Sequence, residues 1–299
     1  MSYIFHIVFY LCIYVILALS LNLIVGYSGL LTFAHAAFFS LGAYSYAIMT
    51  LRTPIGQFPA LIISILIAMI LSLAISLPAW RLKGDYFVMI SLAVQVLIYS
   101  IIYNWHNHQF PLGSLKNLTN GPYGIMDIPK PSFFGYQLNN LASIAVLGII
   151  TAGICAVITW LLISSPWGRM LKVIRDDELA ARSLGKNSRI AKVQVVAIAC
   201  GIAAVSGVMY ASYVSYIEPS ICSVSESILI LSMVLIGGVG NFRGPIIGAS
   251  ILIIIPEILR FLDFPDVLAA KIRLLIYGLV LILMFHFRPQ GIAGRYRFE

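Results

Sequence analysis

Apolar runs of bilayer length recur along this chain of 299 residues and constrain its fold more than any other feature of the sequence. Residues 4–25, 58–79, 140–163 and 193–217 each reach or exceed the roughly 20 residues that an α-helix needs to cross the hydrocarbon core. Charged residues make up only 10% of the chain, whereas soluble domains carry about a quarter. The sequence therefore predicts an all-α, polytopic bundle of transmembrane helices in a lipid bilayer.

The predicted number of spans depends on two interrupted regions. GYSG at Gly26–Gly29 breaks or sharply turns the chain after the first apolar run. GGVGNFRGP at Gly237–Pro245 follows an apolar run that is too short to cross unless irregular backbone continues at membrane depth. Further spans are predicted at residues 30–51, 86–103, 246–261 and 272–287. We predict about nine spans, in a range of about eight to ten, as a single domain over residues 1–299.

Small residues recur on one helical face after the first break. Their spacing of three, four or seven positions places them on one side of a helix, which permits close helix–helix packing in lipid. The residues of this face are Gly29, Ala36, Ser40, Ala43 and Ala47. A similar pairing of a glycine-rich turn with a small-residue run follows Gly237, and paired interruptions of this kind hint at an inverted repeat with a pathway between its halves.

The longest strongly charged stretch lies between two spans, at about residues 165–192, and is called the charged loop below. It holds seven of the 19 Lys and Arg residues. Lys and Arg near span ends resist translocation, which predicts a cytoplasmic charged loop and C-terminus, with the N-terminus outside. This orientation puts 13 of the 19 basic residues inside and the cation-poor loop at about 104–139 outside. Because the basic residues sit between apolar spans and not on one soluble face, we predict no nucleic-acid binding.

Four polar residues at predicted membrane depth are candidates for lining a translocation path: Asn22, Thr32, His35 and Gln95. Polar residues inside a membrane protein need partners within the bundle. A histidine bonded to a neighbouring helix is an equally good interpretation of His35. For Gln95, a structural link between helices is the favoured interpretation.

Sequence motifs for catalysis or nucleotide binding are missing from the chain. There is no GxxxxGK[ST] phosphate loop, no HExxH, no CxxC and no GxSxG nucleophile elbow. The four cysteines are interpreted as small buried hydrophobic residues. We therefore predict that the chain is not an enzyme, has no catalytic residues and holds no metal or cofactor of its own.

Six stretches, in order along the chain, resemble the LivM-type permease subunits of ABC importers for branched-chain amino acids. They run almost from end to end and comprise LSLNLIVGYSGLLTFAHAAFFSLGAY (19–44), LKGDYFVMISLA (82–93), LTNGPYGI (118–125), GRMLKVIRDDELAARSLGKN (168–187), VLIGGVGNFRGPIIGA (234–249) and YGLVLILMFHFRPQGIAG (277–294). The resemblance implies a subunit of the bacterial cytoplasmic (inner) membrane that works with a LivH-type permease. It also implies an extracytoplasmic solute-binding protein and two cytoplasmic ATPases that bind ATP and Mg.

The resemblance also gives the charged loop a role in coupling to the ATPases. Their contact motif in ABC permeases is EAAxxxG, and Ala180-Ala181-Arg182-Ser183-Leu184-Gly185 matches its AAxxxG part. Glu178 lies one residue further upstream than the pattern requires. The residues implied in ATPase coupling are Arg175, Glu178, Ala180, Ala181, Arg182 and Gly185.

The resemblance extends to permeases for more than one class of solute. Similar permeases serve urea and short amides, which are the alternative to leucine, isoleucine and valine. A self-sufficient channel or facilitator for a small neutral solute is a further alternative, because the predicted spans lack the paired carboxylates that drive proton relays.

Overall fold

The computed structural model describes residues 2–53, 55–79, 85–107, 109–110, 114, 116–133, 136–137, 140–260, 275, 278–279 and 291–293. The predicted charged turn at residues 81–84, most of the predicted last span at 272–287 and the arginines of the C-terminal tail lie outside these residues.

Eleven α-helices account for most of the described chain. They are α1 (Ser2–Ser28), α2 (His35–Arg52), α3 (Gln57–Leu71), α4 (Leu73–Ala79), α5 (Asp85–Asn104), α6 (Leu141–Ser164), α7 (Pro166–Asp176), α8 (Glu178–Ser183), α9 (Ser188–Val214), α10 (Val224–Gly237) and α11 (Arg243–Arg260). Within the described residues the only strands are β1 (Ser132–Phe133) and β2 (Tyr136–Gln137), a short antiparallel hairpin. The prediction of an all-α bundle is confirmed.

The helices α1 and α9 form the centre of the bundle. Each is 27 residues long, and 72% and 78% of their most apolar windows are buried, against 28% for α5 and 22% for α6. Many aliphatic side chains of α5 and α6 remain exposed, as is usual for surfaces that face lipid. Four of the described helices, α1, α5, α6 and α9, are long and apolar enough to cross a membrane, and the count of nine spans stays a prediction.

Close packing between α2 and α9 depends on small residues, as predicted. Ala36, Ser40, Ala43 and Ala47 are fully buried. One close approach involves a residue outside that face, because a Cβ on Gly42 would lie 2.5 Å from the Cα of Ala204. The assignment of Gly29 to the same face is wrong, because Gly29 precedes α2 and adopts a left-handed φ of 70°, which ends helical continuity.

The two predicted interruptions are present, although the first lies later than expected. The helix α1 continues past Gly26 to Ser28, and non-helical backbone runs from Gly29 to Ala34. Gly26 is needed for packing and not for a turn, since a Cβ there would lie 2.6 Å from the backbone nitrogen of Gly240. The second interruption follows the 14-residue helix α10 and spans residues 238–242.

The predicted third span is not one continuous helix. It divides into α3 and α4 at Ser72, whose hydroxyl donates to the carbonyl of Met69 at 2.6 Å. A serine that bonds back to the preceding turn competes with the helical hydrogen-bond ladder and often bends a helix.

The bundle has two ends, called the loop end and the far end. The loop end carries the charged loop with α7 and α8, and the last turn of α1 lies beside it. The far end carries the end of α9 and the loop between α5 and α6. There an isolated bridge between Ile125 and Ile217 joins the two segments.

Candidate functional site

Polar side chains cap the helices of the charged loop, which are α7, α8 and the beginning of α9. Ser165, Asp177 and Asn187 each accept a hydrogen bond from the backbone amide three residues later, which is the usual way to start a helix. Asp177 adopts an extended conformation with φ −151°, so it ends α7 and starts α8 in one position. The loop is therefore a defined structure and not a flexible connection.

The AAxxxG part of the predicted coupling motif has a clear structural role. Gly185 adopts a left-handed φ of 73° and ends α8, with its amide donating to the carbonyl of Arg182 at 2.9 Å. The next amide, of Lys186, donates to the carbonyl of Ala181 at 3.1 Å. These two bonds form a Schellman motif, for which glycine is favoured. Ala181 is fully buried, whereas Ala180 lies on the exposed side of α8.

Glu178 faces inward and joins α8 to α9. One carboxylate oxygen accepts hydrogen bonds from Arg182 at 2.6 Å and from the Ser188 hydroxyl at 2.9 Å, and the other accepts from Lys192 at 2.8 Å. Burial acts to raise the pKa of Glu178, but the hydrogen bonds from Lys192 and Ser188 and the nearby positive charges outweigh it, so the pKa lies below its ordinary value. Glu178 is therefore an ionised internal link of the loop.

Arg175 fixes the charged loop to the end of α1. Its guanidinium donates to the carbonyl of Gly26 at 2.7 Å and pairs with Asp176 at 2.8 Å. Its side chain is only 10% exposed. Lys172, one turn earlier on α7, lies 5.3 Å from the centre of the Tyr27 ring, within the range of a cation–π interaction. A displacement of α7 must therefore move or release the last turn of α1.

The outward side of the loop exposes apolar side chains among its charges. Leu179 is 67% exposed and Leu184 is 74% exposed. They flank α8 at its start and just beyond its end, and the half-exposed Arg182 lies between them in sequence. Apolar residues presented by a short helix with charges at its rim are typical of a surface that fits into the groove of another protein.

Of the four candidate path residues, Thr32 and His35 share one small cavity. They line a space of ≈ 10 Å³ between α1, α2, α5 and α9, and Asn22 and Gln95 are not among the residues around it. His35 Nε2 is hydrogen-bonded to the Ser20 hydroxyl at 2.7 Å. A cavity of this size holds about one water molecule at most, so in this conformation it is not an open passage.

Asn22 joins α1 to the second interruption, and Gln95 joins α5 to the start of α2 and to the turn before α10. Asn22 donates to the carbonyl of Asn241 at 2.9 Å and accepts from the amide of Gly240 at 3.1 Å. Gln95 accepts from the amide of Ala37 at 2.8 Å and donates to the carbonyl of Cys222 at 2.7 Å. Both side chains are fully buried. These hydrogen bonds give both residues a structural role within the bundle. Their part in a translocation path stays a prediction.

Sequence reasoning missed the partners that make Glu178 internal. Ser188 and Lys192 are 10 and 14 residues from Glu178, on the other side of the Gly185 turn. Helical spacing points only to Arg182, four residues away. The contact of Arg175 with Gly26 spans 149 residues, and no local pattern in the sequence indicates it.

Comparison with known families gives one match over most of the chain. The family model described as branched-chain amino acid transport system, permease component, matches residues 3–285. No solved structure matches the chain.

Individual relatives fall into two groups by the systems in their names. The high-affinity branched-chain amino acid transport system permease protein LivM of Escherichia coli is 29% identical over 94% of this chain and 67% of its own length. The probable LivM protein of Methanocaldococcus jannaschii is 24% identical over 94% of this chain and 90% of its own length. The autoinducer 2 import system permease protein LsrC of Salmonella typhimurium is 28% identical, over 48% of this chain and 41% of its own length.

Proposed function

Because the chain belongs to the family of branched-chain amino acid transport system permease components, we propose that it is the membrane subunit of an ABC importer for leucine, isoleucine and valine. The family consists of transport permeases and not of enzymes. The chain's relatives named LivM and its apolar helices agree with a membrane-embedded transport role.

The observation that best supports external ATPases as the driving subunits is the structure of the charged loop. It presents Leu179 and Leu184 outward while Glu178 and Ala181 hold α8 from within. Arg175 connects the same loop to the end of α1 at Gly26. A partner that binds α8 and changes shape would therefore act on a central helix of the bundle, which is the mechanical requirement for alternating access.

The other parts of the importer follow from the family. We propose two cytoplasmic ATPases, which bind ATP and Mg, a LivH-type permease beside this chain, and an extracytoplasmic binding protein that delivers the solute to the far end. The basic charged loop then lies on the cytoplasmic side of a bacterial inner membrane, and the C-terminus with it.

The ATPase interface can be tested by affinity purification from native membranes. We expect two nucleotide-binding subunits and a second permease to accompany the native chain. Changing Leu179 or Leu184 to aspartate places a charge on the proposed contact surface without touching the interior. These variants should still be inserted in the membrane. Much less ATPase should co-purify with them, and most of the leucine uptake should be lost. The matched control is Met126→Asp, because Met126 is 59% exposed at the far end of the bundle, and it should retain the ATPase.

Two results would contradict the proposal. One is a Leu184→Asp variant that keeps both its ATPase and its uptake, which would remove the charged loop from the interface. The other is recovery of the native chain alone, together with solute flux through the purified chain without ATP. That second result would establish a self-sufficient channel.

A further inference from the structure

A second cavity lies toward the far end of the bundle, away from the charged loop. It has a volume of ≈ 200 Å³ and is enclosed by α1, α2, α9, the beginning of α10 and the turn before α10. At about 30 Å³ per molecule this volume corresponds to roughly seven waters. Ser220 at its edge is exposed, so the cavity reaches the protein surface there. We call it the tyrosine cavity, after Tyr10, Tyr14 and Tyr210 in its wall.

One carboxylate, that of Glu226, belongs to the wall of the tyrosine cavity. It accepts a hydrogen bond from the Tyr14 hydroxyl at 2.6 Å. No Lys, Arg or His among the described residues forms an ion pair with it. Ionisable groups inside transmembrane bundles are costly and are therefore functional-site candidates, and this one faces a space large enough for a ligand.

The local sequence favours a different position for Glu226. Ser223 and Glu226 have the spacing of a capping box, in which the glutamate bonds back to the amide of the first residue. Ser223 does cap α10, accepting from the amide of Glu226 at 3.2 Å. The amide of Ser223, however, donates to the carbonyl of Ser220 at 3.0 Å. The Glu226 carboxylate instead bonds to Tyr14 of α1, so its place in the cavity wall is not explained by helix capping.

Aromatic rings make up much of the remaining wall of the tyrosine cavity. The rings of Tyr10 and Tyr210 are 6.2 Å apart at an interplanar angle of 86°, and those of Phe39 and Tyr210 are 5.6 Å apart at 64°. Aromatic faces attract cations through the ring quadrupole, and a neighbouring carboxylate supplies the compensating charge. Ile13 and Ile221 complete the wall with apolar surface. No basic residue is among the described residues of this wall, so the wall offers no counter-ion to a carboxylate.

We infer that the tyrosine cavity is a transient binding site for the ammonium group of the transported solute, with Glu226 as its counter-ion and Tyr10 and Tyr210 as an aromatic surround. This inference rests on the proposed function, because it concerns the same solute. It also separates the two solute classes that the sequence leaves open: amino acids carry an ammonium group, and urea and short amides do not.

Binding can be measured on the whole importer in lipid nanodiscs, with the binding protein left out. The probes are isopentylamine, which keeps the branched chain and the ammonium group, and 4-methylpentanoate, which keeps the branched chain and the carboxylate. We expect isopentylamine to bind and 4-methylpentanoate not to bind in calorimetric titrations. Glu226→Gln should weaken isopentylamine binding roughly 10- to 100-fold, the usual effect of losing a hydrogen bond to a charged group. Leucine uptake by the complete importer should fall with it.

Two further variants show whether Glu226 acts on the solute or only on Tyr14. Tyr14→Phe removes the internal hydrogen bond but keeps the carboxylate, so isopentylamine binding should stay within a few-fold of that of the native complex. Glu218→Gln changes an exposed acid just before the turn that leads to α10 and should leave binding unchanged. Size-exclusion profiles of the complexes test whether each variant assembles.

The possible outcomes separate this inference from the proposed function. Equal loss in Glu226→Gln and Tyr14→Phe would make the pair purely structural and overturn the inference. Undiminished isopentylamine binding and leucine uptake in Glu226→Gln would overturn it as well, with the proposed function intact. Failure of the native importer to take up leucine would refute the proposed solute. The amine titrations would then still decide whether the tyrosine cavity binds cations.

Discussion

Replacing Glu178 with alanine is expected to loosen the junction between α8 and α9. The change removes the acceptor of three hydrogen bonds and leaves the side chain of Lys192, only 8% exposed, without its ion-pair partner. Removing one partner of a fully buried pair costs about 3–5 kcal/mol. Because the Glu178 side chain is 18% exposed, water compensates part of the loss, and we expect about 2 kcal/mol.

This free energy should appear as faster amide exchange in the charged loop. The amides of Leu184 and Lys186 bond to carbonyls of α8, so they exchange when the junction opens. A change of about 2 kcal/mol corresponds to roughly 30-fold faster exchange. The measurement is hydrogen–deuterium exchange with mass spectrometry on the chain in nanodiscs. Asp176→Ala is the matched control, since that acid is 57% exposed and should change exchange only slightly.

A second substitution tests the physical reason for the effect. Lys192→Met removes the charge but keeps the length of the side chain. If the cost of Glu178→Ala comes from an unpaired buried charge, the double variant should be less perturbed than the sum of the two single variants. Strictly additive effects would refute the reasoning. So would exchange in Glu178→Ala that does not differ from that of the native chain.

Two further predictions concern helix packing and pH. Gly207→Ala would place a Cβ against the carbonyl oxygen of Phe39 and should lower the free energy of unfolding by about 1–3 kcal/mol through overpacking. The measurement is thermal unfolding. The control is Gly153→Ala, whose Cβ meets nothing within 4 Å and which should not be destabilising. Because the pKa of Glu178 is lowered, its stabilisation of the loop is complete above the ordinary pKa and is lost as the pH falls through the lowered value. Loop exchange, corrected for its intrinsic pH dependence, should therefore accelerate on acidification in the native chain but not in Glu178→Gln.

The long helices could be predicted because a single physical requirement sets them. An apolar run of bilayer length has to be helical in lipid, and α1, α5, α6 and α9 follow the predicted runs closely. The sequence predicts the positions of the interruptions less accurately, because glycine serves both to turn the backbone and to allow close packing. Gly29 turns the chain with a positive φ, whereas Gly26 stays helical and makes room for Gly240. Both glycines belong to the GYSG motif, and the sequence does not distinguish their two roles.

The contacts of the polar residues could not be predicted from the sequence. Gln95 was correctly favoured as a link between helices, since a buried amide must find partners. Its partner Cys222 is 127 residues away, and only the folded bundle brings them together. Glu226 was not singled out at all, because the sequence places it in a short turn before an apolar run. Its contact with Tyr14 spans 212 residues and follows from the tertiary packing of α10 against α1.

The hydrogen bonds of Asn22 have a consequence for biosynthesis. The helix α1 leaves the ribosome long before α10 and α11, yet Asn22 bonds to Gly240 and Asn241, 218 and 219 positions later in the chain. At about 5–20 residues per second, roughly 10–40 seconds of translation separate them. For that time the polar amide of Asn22 is without its native partners in the membrane or the insertion machinery. The contacts of α1, one of the two central helices, are thus completed only after the segment that follows α10 has been synthesised.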